Sequence, residues 1–164
     1  MKRQHLLLEA MKHAGAGVKL IIAGPPDSEA DGDKLKELTE RLGLAGCVQL
    51  DLGFHPRQKY ANYVNAASAV AYLPVDEDSL GYVTMEAARA GKPVITAADS
   101  GGVLGLVKHG ETGWVCEHDP KALGQVLSEA AGGESRAREL GANARALWKS
   151  MDVTWPKTIE ALLQ

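Results

Sequence analysis

Asp76-Glu77-Asp78-Ser79-Leu80-Gly81-Tyr82-Val83-Thr84-Met85-Glu86-Ala87-Ala88-Arg89-Ala90-Gly91-Lys92-Pro93-Val94-Ile95 reads as an acidic turn, an alanine-rich helix, a glycine stop and the start of a strand. Just before it, Ala69 to Val75 is an apolar run short enough and bounded tightly enough to be a strand buried on both faces, as in a parallel sheet. The acidic turn therefore sits at a strand's carboxyl edge. Open parallel sheets bind ligands in the crevice outside that edge, and a helix opening near Gly81 or Tyr82 points free backbone N–H groups and a partial positive charge towards it. An anion, above all a phosphate, is the guest such a place suits.

Two acids flank the helix start. Asp78 in the turn and Glu86 on the helix have seven residues between them, so both can face one crevice, one near each end of an extended ligand. Carboxylates suit vicinal sugar hydroxyls. The plain alternative is a solvated acidic turn ahead of an ordinary helix.

Outward from this stretch, strand and helix alternate to both ends. Towards the amino terminus, Val18 to Ala23 is a β-branched strand stopped by Gly24-Pro25-Pro26, and Leu35, Leu38 and Leu42 recur at helical spacing behind a cap at Asp31 or Asp33. Val48 to Leu52 follows as a short strand, with the turn Gly53-Phe54-His55-Pro56 at its carboxyl end, pointing into the same crevice. Tyr60, Val64 and Ala67 then share one helical face, as core packing. The chain's one phenylalanine, Phe54, is either a core residue or part of a site. The first helix, opened by the apolar stretch Leu6 to Met11 and ending near Gly15 or Gly17, has no strand ahead of it.

Towards the carboxyl terminus, Pro93 opens the strand Val94 to Ala97, Asp99-Ser100-Gly101-Gly102 closes it, and Gly113 to Cys116 is the last strand. Asp119-Pro120 is a helix start, with Leu123, Val126, Leu127 and Ala130 as its buried stripe. A charged helix turns Ala137, Leu140, Ala144 and Leu147 inward, and a last structural segment carries Trp155, Ile159, Leu162 and Leu163. The alternation predicts a single α/β domain over residues 1–164, a doubly wound, Rossmann-like parallel sheet with helices on both faces.

Composition narrows the partners. The chain has 164 residues, 45% of them hydrophobic and 24% charged, with a net charge of -3, which suits one domain with a sizeable core and leaves no basic footprint for nucleic acid. No apolar run approaches a membrane span. Cys47 and Cys116 stand far apart, without Cys-x-x-Cys or a secretory leader, which points to a reduced, cytoplasmic setting. The five histidines show no metal-ligand spacing, and no dinucleotide fingerprint, phosphate-binding Walker loop or Gly-x-Ser-x-Gly elbow occurs.

Asp78 to Glu86, taken with Gly81, the turn Gly91-Lys92-Pro93-Val94 and the pair Gly101-Gly102, resembles the signature of the family-4 retaining glycosyltransferases of the two-domain GT-B architecture, the glycosyl transferases group 1. The family's pattern is Glu, seven residues, Glu. This chain departs at the first position, where Asp78 stands, and Glu77 beside it is a possible substitute. The resemblance implies the donor-binding half of an enzyme that moves a sugar from a nucleoside diphosphate sugar to an acceptor hydroxyl with retention. Asp78 and Glu86 are then the catalytic acids, Asp78 holding the transferred sugar near its reacting carbon and Glu86 taking the ribose hydroxyls. Lys2 and the N–H groups of Gly81, Tyr82 and Val83 would bind the donor diphosphate, and Gly53, Phe54 and His55 its base, largely through backbone. No cofactor and no metal is implied, because basic groups and the helix terminus meet the developing charge.

The family's acceptor-binding N-terminal domain, an implied partner, and the first strand of the donor domain fall outside the chain. That strand would lie between the strands at Val18 to Ala23 and Ala69 to Val75. Three arrangements are open: those two strands pair directly, a second copy fills the gap, or a preceding segment does. Two rival functions also stand, a sugar-nucleotide 2-epimerase on the same architecture and a non-catalytic nucleotide-sugar-binding module.

Overall fold

A computed structural model describes residues 2–153 and 155–163. In chain order the elements are α1 (Gln4–Ala10), β1 (Leu20–Ala23), α2 (Glu29–Arg41), β2 (Val48–Asp51), α3 (Arg57–Ala66), β3 (Val70–Ala71), α4 (Tyr82–Ala90), β4 (Val94–Ala97), β5 (Gly113–Cys116), α5 (Pro120–Gly132), α6 (Glu134–Met151) and α7 (Trp155–Leu162). A short 3-10 helix spans Gly102–Gly105. The expected α/β architecture of parallel strands flanked by helices is what the chain adopts. No helix among the described residues is long and apolar enough to cross a membrane.

Every strand pair is parallel. β1 lies beside β2 with Leu20 opposite Val48 and Ala23 opposite Asp51, while β3, β4 and β5 form a second sheet in that order. The strand expected over Ala69 to Val75 is shorter as a ladder, although Tyr72 N–H still donates to Ile95 O at 3.0 Å and Asp76 N–H to Asp99 O at 2.9 Å. Pro74, between them, has no N–H to give.

β1 and β3 do not pair, so the direct-pairing arrangement is overturned. Side chains rather than backbone carry the connection: Leu8, Ile22, Leu73, Ile95, Trp114 and Leu123 belong to one apolar core beneath both sheets. Arg3, just ahead of α1, fastens that helix to the ends of β3 and β4. Its Nε donates to Leu73 O at 2.9 Å, its Nη2 to Pro74 O at 2.5 Å, and the guanidinium pairs with Asp99 at 2.8 Å. Carbonyls just beyond a strand are satisfied in this way, the Pro74 carbonyl also accepting from Ser100 OH at 3.1 Å.

Three local expectations are corrected. Ser28, not Asp31 or Asp33, caps α2, accepting from Asp31 N–H, because a hydroxyl one residue ahead of the helix reaches its free donors. The α3 face of Tyr60, Val64 and Ala67 is only half-buried, and no residue of that helix is fully buried. In α7, Ile159 and Leu162 are exposed, as is Leu163 just beyond it, since nothing among the described residues covers them; the side chain of Trp155 lies outside the described residues.

Candidate functional site

The acidic turn is built before it can bind anything. Glu77 makes a bridge with Gly101, and Gly102 N–H donates to Glu77 O at 2.5 Å. A Cβ on Gly101 would stand 2.5 Å from that carbonyl oxygen, and its φ of +65° suits only glycine. The glycine pair therefore lets the acidic turn seat itself against the end of β4. Within the turn, Glu77 accepts from Tyr72 OH at 3.0 Å and from Ser79 OH at 3.2 Å, and Ser79 Oγ in turn accepts from Gly81 N–H at 3.2 Å. Glu77 is thus committed to holding the turn, which argues against its replacing Asp78.

Titration follows these contacts. Burial, with Glu77 beside it, pushes the Tyr72 phenol up to about 12, and the Tyr72 hydroxyl holds the Glu77 carboxyl below its ordinary range. Lys2 Nζ stands 5.4 Å from the Tyr72 ring centroid, a cation–π distance, so the terminal lysine is brought to the acidic turn.

Helix α4 opens at Gly81, whose φ of +70° and whose 2.6 Å approach to Tyr72, measured from a Cβ placed there, leave room for no side chain. With the Gly81 N–H given to Ser79, the donors without intrahelical partners at this start are the N–H groups of Tyr82 and Val83. The Tyr82 side chain is exposed and that of Val83 is half-buried. Asp78 and Glu86 are exposed on either side of the helix start, Glu86 four residues beyond Tyr82, a little over one turn along. Two carboxylates therefore bracket a pair of free N–H donors with a lysine at hand.

A second cluster stands at the carboxyl end of β2. Asp51 accepts from His55 Nε2 at 2.8 Å and from Tyr63 OH at 2.6 Å, and pairs with Lys59 at 2.7 Å. Lys59 first, then Tyr63, holds the Asp51 carboxyl down to about 2. Tyr60 OH donates to Gly53 O at 3.0 Å. Phe54 is 90% exposed, which removes the core reading for it. No hydrogen bond or ion pair among the described residues joins this turn to the acidic turn.

Sequence reasoning missed Arg3, Tyr72, Asp51, Lys59 and Tyr63. Lys59 and Tyr63 stand four apart on one helix, and Asp51 stands four before His55, the only local signal available. For Arg3 and Tyr72 the sequence carries none.

Residues 1–147 match the family of glycosyl transferases group 1. A D-inositol 3-phosphate glycosyltransferase of Streptomyces scabiei is 36% identical over 77% of this chain, and one of Xylanimonas cellulosilytica is 30% identical over 99% of it. The chain spans 28% and 38% of the lengths of those two relatives. Among solved structures, Anabaena Alr3699/HepE in complex with UDP-glucose superposes with a TM-score of 0.80 at 26% identity, over 91% of this chain and 41% of that one. A mutant of S. aureus TarM, with a TM-score of 0.85 at 20% identity over 99% of this chain and 32% of that one, shares the fold. By fold, by the Asp78 to Glu86 pattern and by these matches, the chain belongs to the glycosyl transferases group 1, the GT-B glycosyltransferases.

Proposed function

We propose that residues 1–164 form the donor domain of a retaining glycosyltransferase, which binds a nucleoside diphosphate sugar and works with an acceptor domain supplied from outside this chain. The observation that carries the reading is the pair of exposed acids, Asp78 and Glu86, on either side of the free N–H donors that open α4, with Lys2 beside the turn. A structural relative, Anabaena HepE, is seen with UDP-glucose and with UDP, which supports a nucleotide sugar as the ligand class.

Each group has a distinct task. Lys2 and the N–H groups of Tyr82 and Val83 offset the charge that grows on the diphosphate as its bond to the sugar breaks, and they are oriented before the reaction begins. Glu86 accepts hydrogen bonds from the ribose hydroxyls. Asp78, one methylene shorter than the family's glutamate, holds hydroxyls of the transferred sugar near its reacting carbon. The turn Gly53 to His55 receives the base. Glu77 and Gly101 touch no ligand; they keep the acidic turn in place.

Thermal-shift screening against a panel of nucleoside diphosphates and their sugars tests the reading. A rise in melting temperature with at least one nucleoside diphosphate, larger with its sugar, is expected from binding to the folded state. No shift across the panel would refute it.

A further inference from the structure

Asp51 ends β2 with its side chain only 18% exposed, and its two oxygens take three donors, from His55 in the turn and from Lys59 and Tyr63 on α3. A carboxylate only accepts, so His55 Nε2 carries the proton that it gives to Asp51. That ring covers Gly53, where an added Cβ would meet His55 Cε1 at 3.6 Å, and it lies 5.9 Å from the Tyr60 ring, whose hydroxyl holds the Gly53 carbonyl. Both neighbours of Phe54 are therefore fastened from below. Phe54 itself is almost wholly in solvent.

Fixed flanks and a bare aromatic between them form a preorganised stacking face, since an aromatic ring loses little freedom when a flat partner settles on it. We infer that Asp51 is a positioning residue for the nucleobase: through His55, Lys59 and Tyr63 it holds the turn so that the Phe54 ring and the turn's backbone meet the base of the donor. This rests on the donor-domain reading and adds to it a named support for the turn that receives the base. The competing role for the network is a staple between β2 and α3 with no bearing on ligand.

Calorimetric titration of the 164-residue chain with uridine diphosphate and with inorganic pyrophosphate separates the two roles. Asp51→Asn is expected to weaken uridine diphosphate by about fivefold to tenfold while leaving pyrophosphate unchanged, because pyrophosphate has no base. Tyr63→Phe, which keeps the ring and removes one donor to Asp51, is expected to shift the same ratio by a smaller factor, and it decides the matter if Asp51→Asn does not fold. Phe54→Ala should lose the same selectivity without disturbing the network. Equal losses for both ligands, or none for either, would leave Asp51 a staple and overturn the inference while the donor-domain reading stands. Failure of the unaltered chain to bind either ligand would bring down both.

Discussion

Arg3 is 8% exposed, and its guanidinium is shared among two carbonyls and one carboxylate. Nothing beside Lys2 in the sequence announces this, because the partners lie 70 and 96 positions away. Asp99 is 40% exposed, so its charge counts for less than a buried pair's, and most of the value lies in the bonds to the carbonyls. Arg3→Met is expected to lower unfolding free energy by about 1–3 kcal/mol, read as a lower urea midpoint. An unchanged midpoint would show the anchor to be ornamental. Asp51 makes a second case at this scale. Its carboxyl is depressed in the fold from 3.8 to about 2, so its stabilising contribution is complete above 3.8 and is lost as pH falls through 2. Acid unfolding between pH 4 and 2 should therefore be shallower in Asp51→Asn than in the unaltered chain, at the same protein concentration. Asp99, also depressed, keeps some slope in both proteins. Superimposable profiles would contradict the assignment.

Among the elements, those with local chemistry at their ends were legible. Asp119 accepts from the N–H groups of Lys121 and Ala122 ahead of Pro120, and Gly91 closes α4 in the left-handed region, both as expected from a few adjacent residues. The α3 and α7 faces were not legible in the same way. A repeat of apolar residues states that one side of a helix is apolar and leaves open what lies against it, so Ile159, Leu162 and Leu163 gave the same pattern exposed as they would have given buried. Gly101-Gly102 was half-legible: the pair read as the turn that closes β4, but not as the place where the backbone of Glu77 packs. Gly101→Ala combines a positive φ with a contact to backbone that cannot swing aside, and should cost more than about 2 kcal/mol of stability. Hydrogen exchange should quicken first in the acidic turn and the start of α4. Unaltered protection there would mean that the turn is seated by something else.

For the whole molecule, alternation of strand and helix was enough to read a parallel α/β domain, because that pattern is carried by every segment at once. Strand neighbours were not, since parallel pairing joins residues far apart in sequence; β1 and β3 each have one partner and do not meet. The candidate site shows the same division. Asp78, Glu86 and the helix start were read from one contiguous stretch, whereas Lys2 is brought to the turn beside the Tyr72 ring, and the network under Phe54 is a product of the fold. The central claim is that these pieces form a nucleotide-sugar site with Glu86 on the ribose and Asp78 on the sugar. Calorimetric titration of Glu86→Ala with the nucleoside diphosphate that binds best tests it most directly, with Asp78→Asn and the intact nucleotide sugar alongside. We expect Glu86→Ala to stay folded and to bind the diphosphate about tenfold to a hundredfold more weakly, and Asp78→Asn to spare the diphosphate while weakening the nucleotide sugar. Unchanged affinity in a folded Glu86→Ala would contradict the claim.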